Sequence, residues 1–378
     1  MAHAPVDKVG GGAAMSIAAA NRAYERWLRQ ELGGAVVHAD LKLKHIKMAE
    51  SPFAFLRATY WRWAETILTV CPDVGDAPAV LAVGDMHLEN FGTWTDKEGR
   101  ICWGVNDYDE AATMPYILDL IRLAASAALA PKAAQLPLAS VCEHLHAGYA
   151  RGLERPEACV LDRRHLWLRE RLVVDEKARS KFWRKIDEQH EIRRKRRKPE
   201  QPPQACLDLF ALALPEPVEL AYWRHTAGTG SLGRPRWLGY GHWRGGPLLR
   251  EAKALVPSGW VRAHGGSPTL RLNEIAGGVF RAPDPWYRAK GPLLIRRLSP
   301  NNRKLVIESR PDVQQLMHPH LLEAMGRDLA AVHLATAGRR DAVHADFKRR
   351  KARWWRTTLQ AAAAFVTAEF AERKKYAK

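Results

Sequence analysis

The sequence predicts an α+β protein in two lobes, one mainly helical and one carrying a small antiparallel sheet. Three observations lead there. Apolar residues recur at helical spacing over 16–33, 52–70, 115–153, 161–198, 319–337 and 346–373. Between about 218 and 310 the chain turns to short apolar runs broken by Gly, Pro and Trp, the pattern of a small twisted sheet. Prolines cluster over 199–217, between these two regions.

The expected organisation is an N-terminal arm and helix (1–44), a helical lobe with acidic loops (45–198) and a proline-rich linker (199–217). A β-rich lobe (218–310) and C-terminal helices that return to the helical lobe (311–378) follow. Residues 1–15, with Gly10–Gly12, are expected to lack regular structure. The first helix has Tyr24, Trp27, Leu28 and Leu32 on one side and ends at Gly33–Gly34. The second has Ser51 as N-cap and Pro52 in its first turn. AVLAV (79–83) and ICWGVN (101–106) read as strands, the second after a turn at Lys97–Gly99. Pro131 and Pro137 interrupt the helical run that starts at Pro115.

A chain of 378 residues, 47% hydrophobic and with 14 Trp, can bury a large core. No run approaches the roughly 20 apolar residues of a membrane span, and the N-terminus has no apolar signal core, so a cytoplasmic protein is expected. The five cysteines are scattered and form no C-x-x-C pair, which suits a reducing compartment without structural zinc. The net charge of +18 favours anionic partners: nucleotides, phosphorylated metabolites, nucleic acid or anionic lipid. The run Arg193, Arg194, Lys195, Arg196, Arg197, Lys198 reads first as a solvated helix end and second as a nucleic-acid patch.

Two constellations carry chemistry. In LAVGDMHLENFGTW, Asp85 and Asn90 are spaced D-x-x-x-x-N, and Asp107 follows at the end of the next strand. Phosphoryl transfer needs a carboxylate to orient the acceptor hydroxyl, and an amide oxygen and second carboxylate to hold Mg2+. Asp85, Asn90 and Asp107 supply these in order, with Asp109 as a second metal candidate. A polar turn whose Asp and Asn cap backbone N–H groups is the plainer alternative. His87 reads as packing or hydrogen bonding within the loop, and Asp119 as either a brace for it or an ordinary first-turn acid.

The second constellation is GTGSLG (228–233), a G-x-G-x-x-G. A dinucleotide fold would need a helix after it. Here RPRWLGYGHW, a turn at Gly245–Gly246 and PLLREAKAL predict two strands, with Lys253 on the second. Backbone N–H groups of Gly228, Gly230, Ser231 and Gly233 can cradle phosphates with Lys253 as the point charge; a hairpin tip beside a surface lysine is the alternative. Glu274 and Glu308 are candidates to position Lys253. Arg296 and Arg297 either face an anion or bracket a sheet edge.

KMAESPFAFLRATY (47–60), GDMHLENFG (84–92), NDYDEA (106–111), LDLIRLAAS (118–126), GTGSLG and REAKALVPS (250–258) resemble a bacterial family known as domain of unknown function 2252. The likeness spans most of 45–340. The acidic loop is also similar to the catalytic loop of aminoglycoside-phosphotransferase-type kinases. The resemblance implies a protein-kinase-like two-lobed fold with ATP and Mg2+ as cofactors. It places Asp85 as catalytic base, Asn90 and Asp107 at metal, and Lys253 at phosphate. Two features depart from the kinase pattern: Val83 stands where a His is usual, and the glycine loop follows the catalytic loop. A circular permutation reconciles the order, with the LAAVHLATAG helix (329–338) in the place of the one that normally precedes the catalytic loop.

The sequence therefore suggests a Mg-ATP-dependent phosphotransferase acting on an unspecified small-molecule or protein hydroxyl. One alternative is a non-catalytic nucleotide-binding regulator. Another is a basic nucleic-acid-binding protein using 193–198 and the C-terminal helix with Lys348, Arg349, Arg350, Lys351, Arg353, Trp354 and Trp355. The plainer reading of that helix is a solvated face with two packed tryptophans.

Overall fold

The computed structural model describes residues 15–131, 136–195 and 200–376. The expectations for Gly10–Gly12 and for the basic run beyond Lys195 fall on residues outside that description. Helix α1 (Ile17–Glu31) starts where Ser16 Oγ accepts the Ala19 N–H. It is followed by Gly33 and Gly34, both at positive φ. After α2 (His38–Met48), the segment expected as one helix is two, α3 (Pro52–Ala58) and α4 (Tyr60–Val70). Thr59 makes the break. Its hydroxyl donates to the Phe55 carbonyl at 2.7 Å, and its backbone sits at φ −126°, ψ 39°.

Four short strands follow: β1 (Ala79–Ala82), β2 (Phe91–Thr95), β3 (Ile101–Val105) and β4 (Ala112–Pro115). β1 pairs with β4 and β2 with β3, all antiparallel. This arrangement sets the acidic loop between β1 and β2 and Asp107 just past β3. Helices α5 (Ile117–Leu129) and α6 (Leu138–Glu154) are separated at the prolines, as expected. β5 (Cys159–Val160) pairs with β3, and α7 (Leu166–Leu172) and α8 (Glu176–Arg194) complete this stretch.

The proline-rich segment is more than a linker. It holds α9 (Gln204–Leu212), whose Cys206, Leu209 and Phe210 are buried. Strands β6 (Ala221–Arg224), β7 (Arg236–Trp243) and β8 (Gly246–Ala254) come next, then helices α10 (Gly259–His264) and α11 (Leu272–Ala276). β9 (Arg288–Lys290) and β10 (Leu293–Arg297) finish a five-stranded antiparallel sheet in the order β6-β7-β8-β10-β9. Side chains alternate across it. Trp237, Leu248, Ala252 and Ile295 pack on α9, while Leu238, Tyr240 and Leu249 pack on Phe182, Trp183 and Ile186 of α8.

The last helices are α12 (Arg310–Leu316), α13 (Pro319–Leu334), α14 (Arg340–Arg349) and α15 (Ala352–Tyr376). The helix expected over 346–373 is interrupted at Arg350, whose backbone is extended and whose side chain pairs with Asp346 at 2.8 Å. Trp355 is buried, and Trp354 lies under Arg350 at 4.3 Å. α15 returns to the start of the chain: Arg62 pairs with Glu369 at 2.9 Å, and the Ile17 N–H donates to Glu372 at 3.3 Å. Among the described residues no helix is long and apolar enough to cross a membrane.

Helix α13 lies so close to α6 that glycine is required at the crossing. A Cβ on Gly148 would sit 2.0 Å from the Glu323 carbonyl oxygen, and one on Gly326 2.4 Å from that of Leu145. Gly148→Ala is therefore expected to destabilise the chain by about 3 kcal/mol, because backbone rather than a flexible side chain must yield. Chemical denaturation of the variant checks this; an unchanged midpoint would contradict the packing.

Candidate functional site

The loop after β1 is held from below by a buried carboxylate. Asp119, in the first turn of α5, accepts the N–H groups of Val83 at 2.7 Å and Gly84 at 2.9 Å. Its own charge is met by His333 Nε2 of α13 at 3.0 Å, and His333 Nδ1 meets the Tyr149 hydroxyl at 2.9 Å. Asp119 thus takes the bracing role that was one of its two readings. Gly84 has φ +89°, and a Cβ there would lie 2.5 Å from the Glu110 carbonyl oxygen, so no other residue fits.

Asp85 follows. Its Oδ1 accepts from Arg122 Nη2 at 2.6 Å and Nε at 3.2 Å. Arg122 is fully buried, donates also to the Leu56 carbonyl at 2.7 Å, and stacks over Tyr60 and Trp63. Burial pushes the Asp85 carboxyl above the usual range, against the pull of Arg122. His87 Nδ1 accepts the Glu89 N–H at 3.2 Å, and burial keeps its ring neutral. Glu89 is held by Arg57 at 2.6 Å and by the Ile307 N–H at 2.9 Å.

Asn90 ties the two acidic segments together. Its Nδ2 donates to the backbone carbonyls of Asp85 and Asp107, both at 3.1 Å, while its Oδ1 is buried without a hydrogen-bond partner. Buried acceptors are normally satisfied, so this oxygen is a candidate ligand atom. The Asp107 side chain keeps 32% of its surface exposed. Burial raises its pKa, but Lys253, Lys304 and Arg296 outweigh it and hold the carboxyl well below the ordinary range.

The sheet lobe supplies the cations. Glu251 and Lys253 share one face of β8, two residues apart. Lys253 is buried, with its ammonium 2.5 Å from Asp109 and 3.4 Å from Asp107. Glu251 pairs with Arg296 at 2.7 Å and Arg236 at 3.0 Å. The loop between β6 and β7 carries the glycines. Gly228 and Gly233 have φ +72° and +98°. The Gly233 carbonyl accepts from Val37 N–H, the Gly230 carbonyl from Lys44 Nζ at 2.9 Å, and Ser231 Oγ from Arg236. A Cβ on Gly230 would be 3.0 Å from Asp85 Oδ2. Asp85, Asn90 and Asp107 therefore meet Gly230 and Lys253 in one place, although the two segments are far apart in the chain.

Two expectations need correction. Glu274 does not position Lys253: it is exposed and pairs with Arg271 at 2.6 Å, and Glu308 is exposed beside α12. The carboxylates on Lys253 are Asp109 and Asp107, because the residues facing β8 come from the loop after β3. Asp109, the second metal candidate, is buried beside Lys253 at 2.5 Å and Arg234 at 3.6 Å, much as Asp107 lies beside Lys253 at 3.4 Å. Of the paired arginines, Arg296 faces inward to Glu251, and Arg297 holds Asp284 and the Thr95 carbonyl.

Arg57, Arg122 and Lys304 were not singled out from sequence. Lys304 extends the bridge beside Gly92, and among the described residues it makes no ion pair. Burial, helped by Arg296 and Lys253, lowers its pKa to about 8 despite the opposing pull of Asp107. Near pH 8 roughly half of its ammonium is neutral. An amine-acylating reagent at that pH is therefore expected to modify Lys304 ahead of ordinary surface lysines, as peptide mass mapping would reveal; labelling no faster than the rest would contradict the lowered pKa.

Among the described residues no three His, Cys, Asp or Glu side chains gather as a metal cluster. No curated protein and no solved structure matches the chain. Residues 36–200, which include Asp85, Asn90 and Asp107 and end before the glycine loop, match a family described as uncharacterized protein conserved in bacteria (DUF2252), and this supports the resemblance to that family.

Proposed function

We propose that the chain is a kinase-like phosphotransferase that uses Mg-ATP. The observation that carries the reading is the convergence of Gly230 on Asp85 and of Lys253 on Asp107. The sheet supports it as well. The glycine loop joins the first two strands of the five, and Lys253 lies on the third, the arrangement of a kinase phosphate-binding lobe. A permuted chain order is supported by the contact of Ile17 with Glu372, which sets α1 beside α15.

The residues fit the cofactor. Mg2+ takes few protein ligands and completes its shell with water and phosphate oxygens. The unpartnered Asn90 Oδ1 and the part-exposed Asp107 carboxylate are of that kind. When bound, the ion would neutralise charge on the phosphates. Asp85 Oδ1 is fixed by Arg122, which leaves Oδ2, on the side of Gly230, to accept a hydrogen bond from an acceptor hydroxyl and orient it. Lys253 and Lys304 would supply positive charge to the transferred group. A non-catalytic nucleotide-binding regulator is the second reading, favoured by the tight hold of Asp109 on Lys253.

With the full chain and Mg-ATP, nucleotide turnover is expected to fall about 10²- to 10⁴-fold in Asp85→Asn, measured below a thermal transition that is itself lowered because the buried Arg122 loses its counter-charge. A Mg-ATP-dependent thermal shift without turnover would select the regulator. Neither shift nor turnover would reject both.

A further inference from the structure

A cleft of about 210 Å³ opens between the β2–β3 hairpin and the end of β10. It is lined by Trp94, Asn106, Tyr108, Tyr287, Arg296 and Lys304, among others. Asp85, Asn90, Lys253 and the glycine loop do not line it. It borders their site through Asn106 and Tyr108, which flank Asp107, and through Lys304 and Arg296, whose charges act on the Asp107 carboxyl.

Its polar atoms are unfinished. Asn106 Oδ1 and the Tyr287 hydroxyl are both buried without a hydrogen-bond partner. Native interiors seldom leave such atoms unpaired, and each calls for a donor or acceptor from outside the fold. Lys304 has no ion pair among the described residues, and Arg296 stands beside it with its Nε on Glu251. The opposite wall is aromatic and rigid. Tyr287 meets Tyr108 edge-on at 5.7 Å, and Arg281 lies over both Trp94 (4.9 Å) and Tyr108 (5.5 Å). Arg281 is itself fixed by Asp328, with both oxygens at 3.0 Å. Its charge is therefore spent, whereas Arg296 and Arg236 share the single carboxylate of Glu251, so the cationic end of the cleft is Lys304 with Arg296.

We infer that this cleft binds a small organic anion rich in hydroxyl groups, of the sugar-phosphate or sugar-acid class. The anionic group would sit on Lys304 and Arg296. Asn106 Oδ1, an acceptor only, requires a hydroxyl or amine donor from the ligand, and the Tyr287 hydroxyl pairs with a second oxygen. The C–H face of a polyol ring suits the aromatic wall. A bare inorganic anion would satisfy Lys304 but leave Asn106 and Tyr287 unpaired. A neutral sugar would do the reverse. Binding there requires no nucleotide: of the residues that line the cleft, only Lys304 is also given a part in phosphoryl transfer.

The test is calorimetric titration of the full chain, without nucleotide or metal, against ribose 5-phosphate, glucose 6-phosphate, gluconate, glucose and inorganic phosphate. A sugar phosphate or gluconate is expected to bind at least about ten-fold more tightly than glucose or inorganic phosphate, the difference one further hydrogen-bonded or charged contact makes. Preference for the phosphates over gluconate identifies the anion as a phosphate, and the reverse as a carboxylate. Tyr287→Phe keeps the ring, and Lys304→Met the stem; each is expected to weaken binding about ten-fold. Inorganic phosphate binding as well as the sugar phosphates, unaltered binding in both variants, or no binding by any compound would each overturn the assignment. Since no nucleotide is present, such a failure would leave the phosphotransfer reading standing, and the loss of that reading would leave this one.

Discussion

The buried ammonium of Lys253 is the constraint on which the site's architecture rests. A lysine removed from water is tolerated only when carboxylates meet it, because an isolated buried charge is far too costly. Here the carboxylates are Asp109 and Asp107, which belong to the loop after β3, outside the five-stranded sheet. The pairing therefore fixes the sheet against the acidic loops as well as neutralising a charge. Breaking it from one side strands the other, so β8 and the loop after β3 are bound to a single register. Arg234 adds to the same seam by pairing with Glu110 at 2.8 Å, and Glu110 in turn accepts the Gly259 N–H at 2.7 Å.

Around that seam the charges are nearly matched. Arg122 answers Asp85, Arg57 answers Glu89, and Arg236 and Arg296 share Glu251. Lys304 is the member left over. Burial is the main reason its pKa falls, and the neighbouring cations add to it, disfavouring one more positive charge while they hold the nearby Asp107 carboxyl low. An anionic ligand would correct both at once, which no rearrangement of the side chains already paired can do.

What the sequence made legible was local. Spacing marked α1, its glycine stop, the strand-loop-strand of residues 79–106 and the sheet of the second lobe. The residue types of a phosphate site stood out for the same reason: Asp85, Asn90 and Asp107 lie within one stretch, and the glycines come in a short run. Partners drawn from elsewhere had no such mark. Arg122 lies inside an apolar helix and reads as an exception to it, and Lys304 stands in an irregular segment. The carboxylate for Lys253 was sought in later segments such as that of Glu274, although it comes from upstream, because only the folded chain sets Asp109 against β8. Thr59 and α9 were missed for a related reason. A single side-chain hydrogen bond outweighed helical propensity in one, and a buried apolar face outweighed flanking prolines in the other.

The contact between Gly230 and Asp85 sets a mechanical condition on any phosphate chemistry at this site. The loop is pressed so close that a methyl group on Gly230 would be only 3.0 Å from Asp85 Oδ2. Phosphate groups are far larger than a methyl, so admitting them between loop and carboxylate requires the loop to lift. Two bonds oppose that motion: Lys44 holds the Gly230 carbonyl, and the Val37 N–H holds that of Gly233. Both come from α2 and its N-cap, so the loop cannot rise without that helix releasing it or moving with it. Glycine at 230 thus does more than leave room. It lets the loop rest on the carboxylate when nothing lies between them.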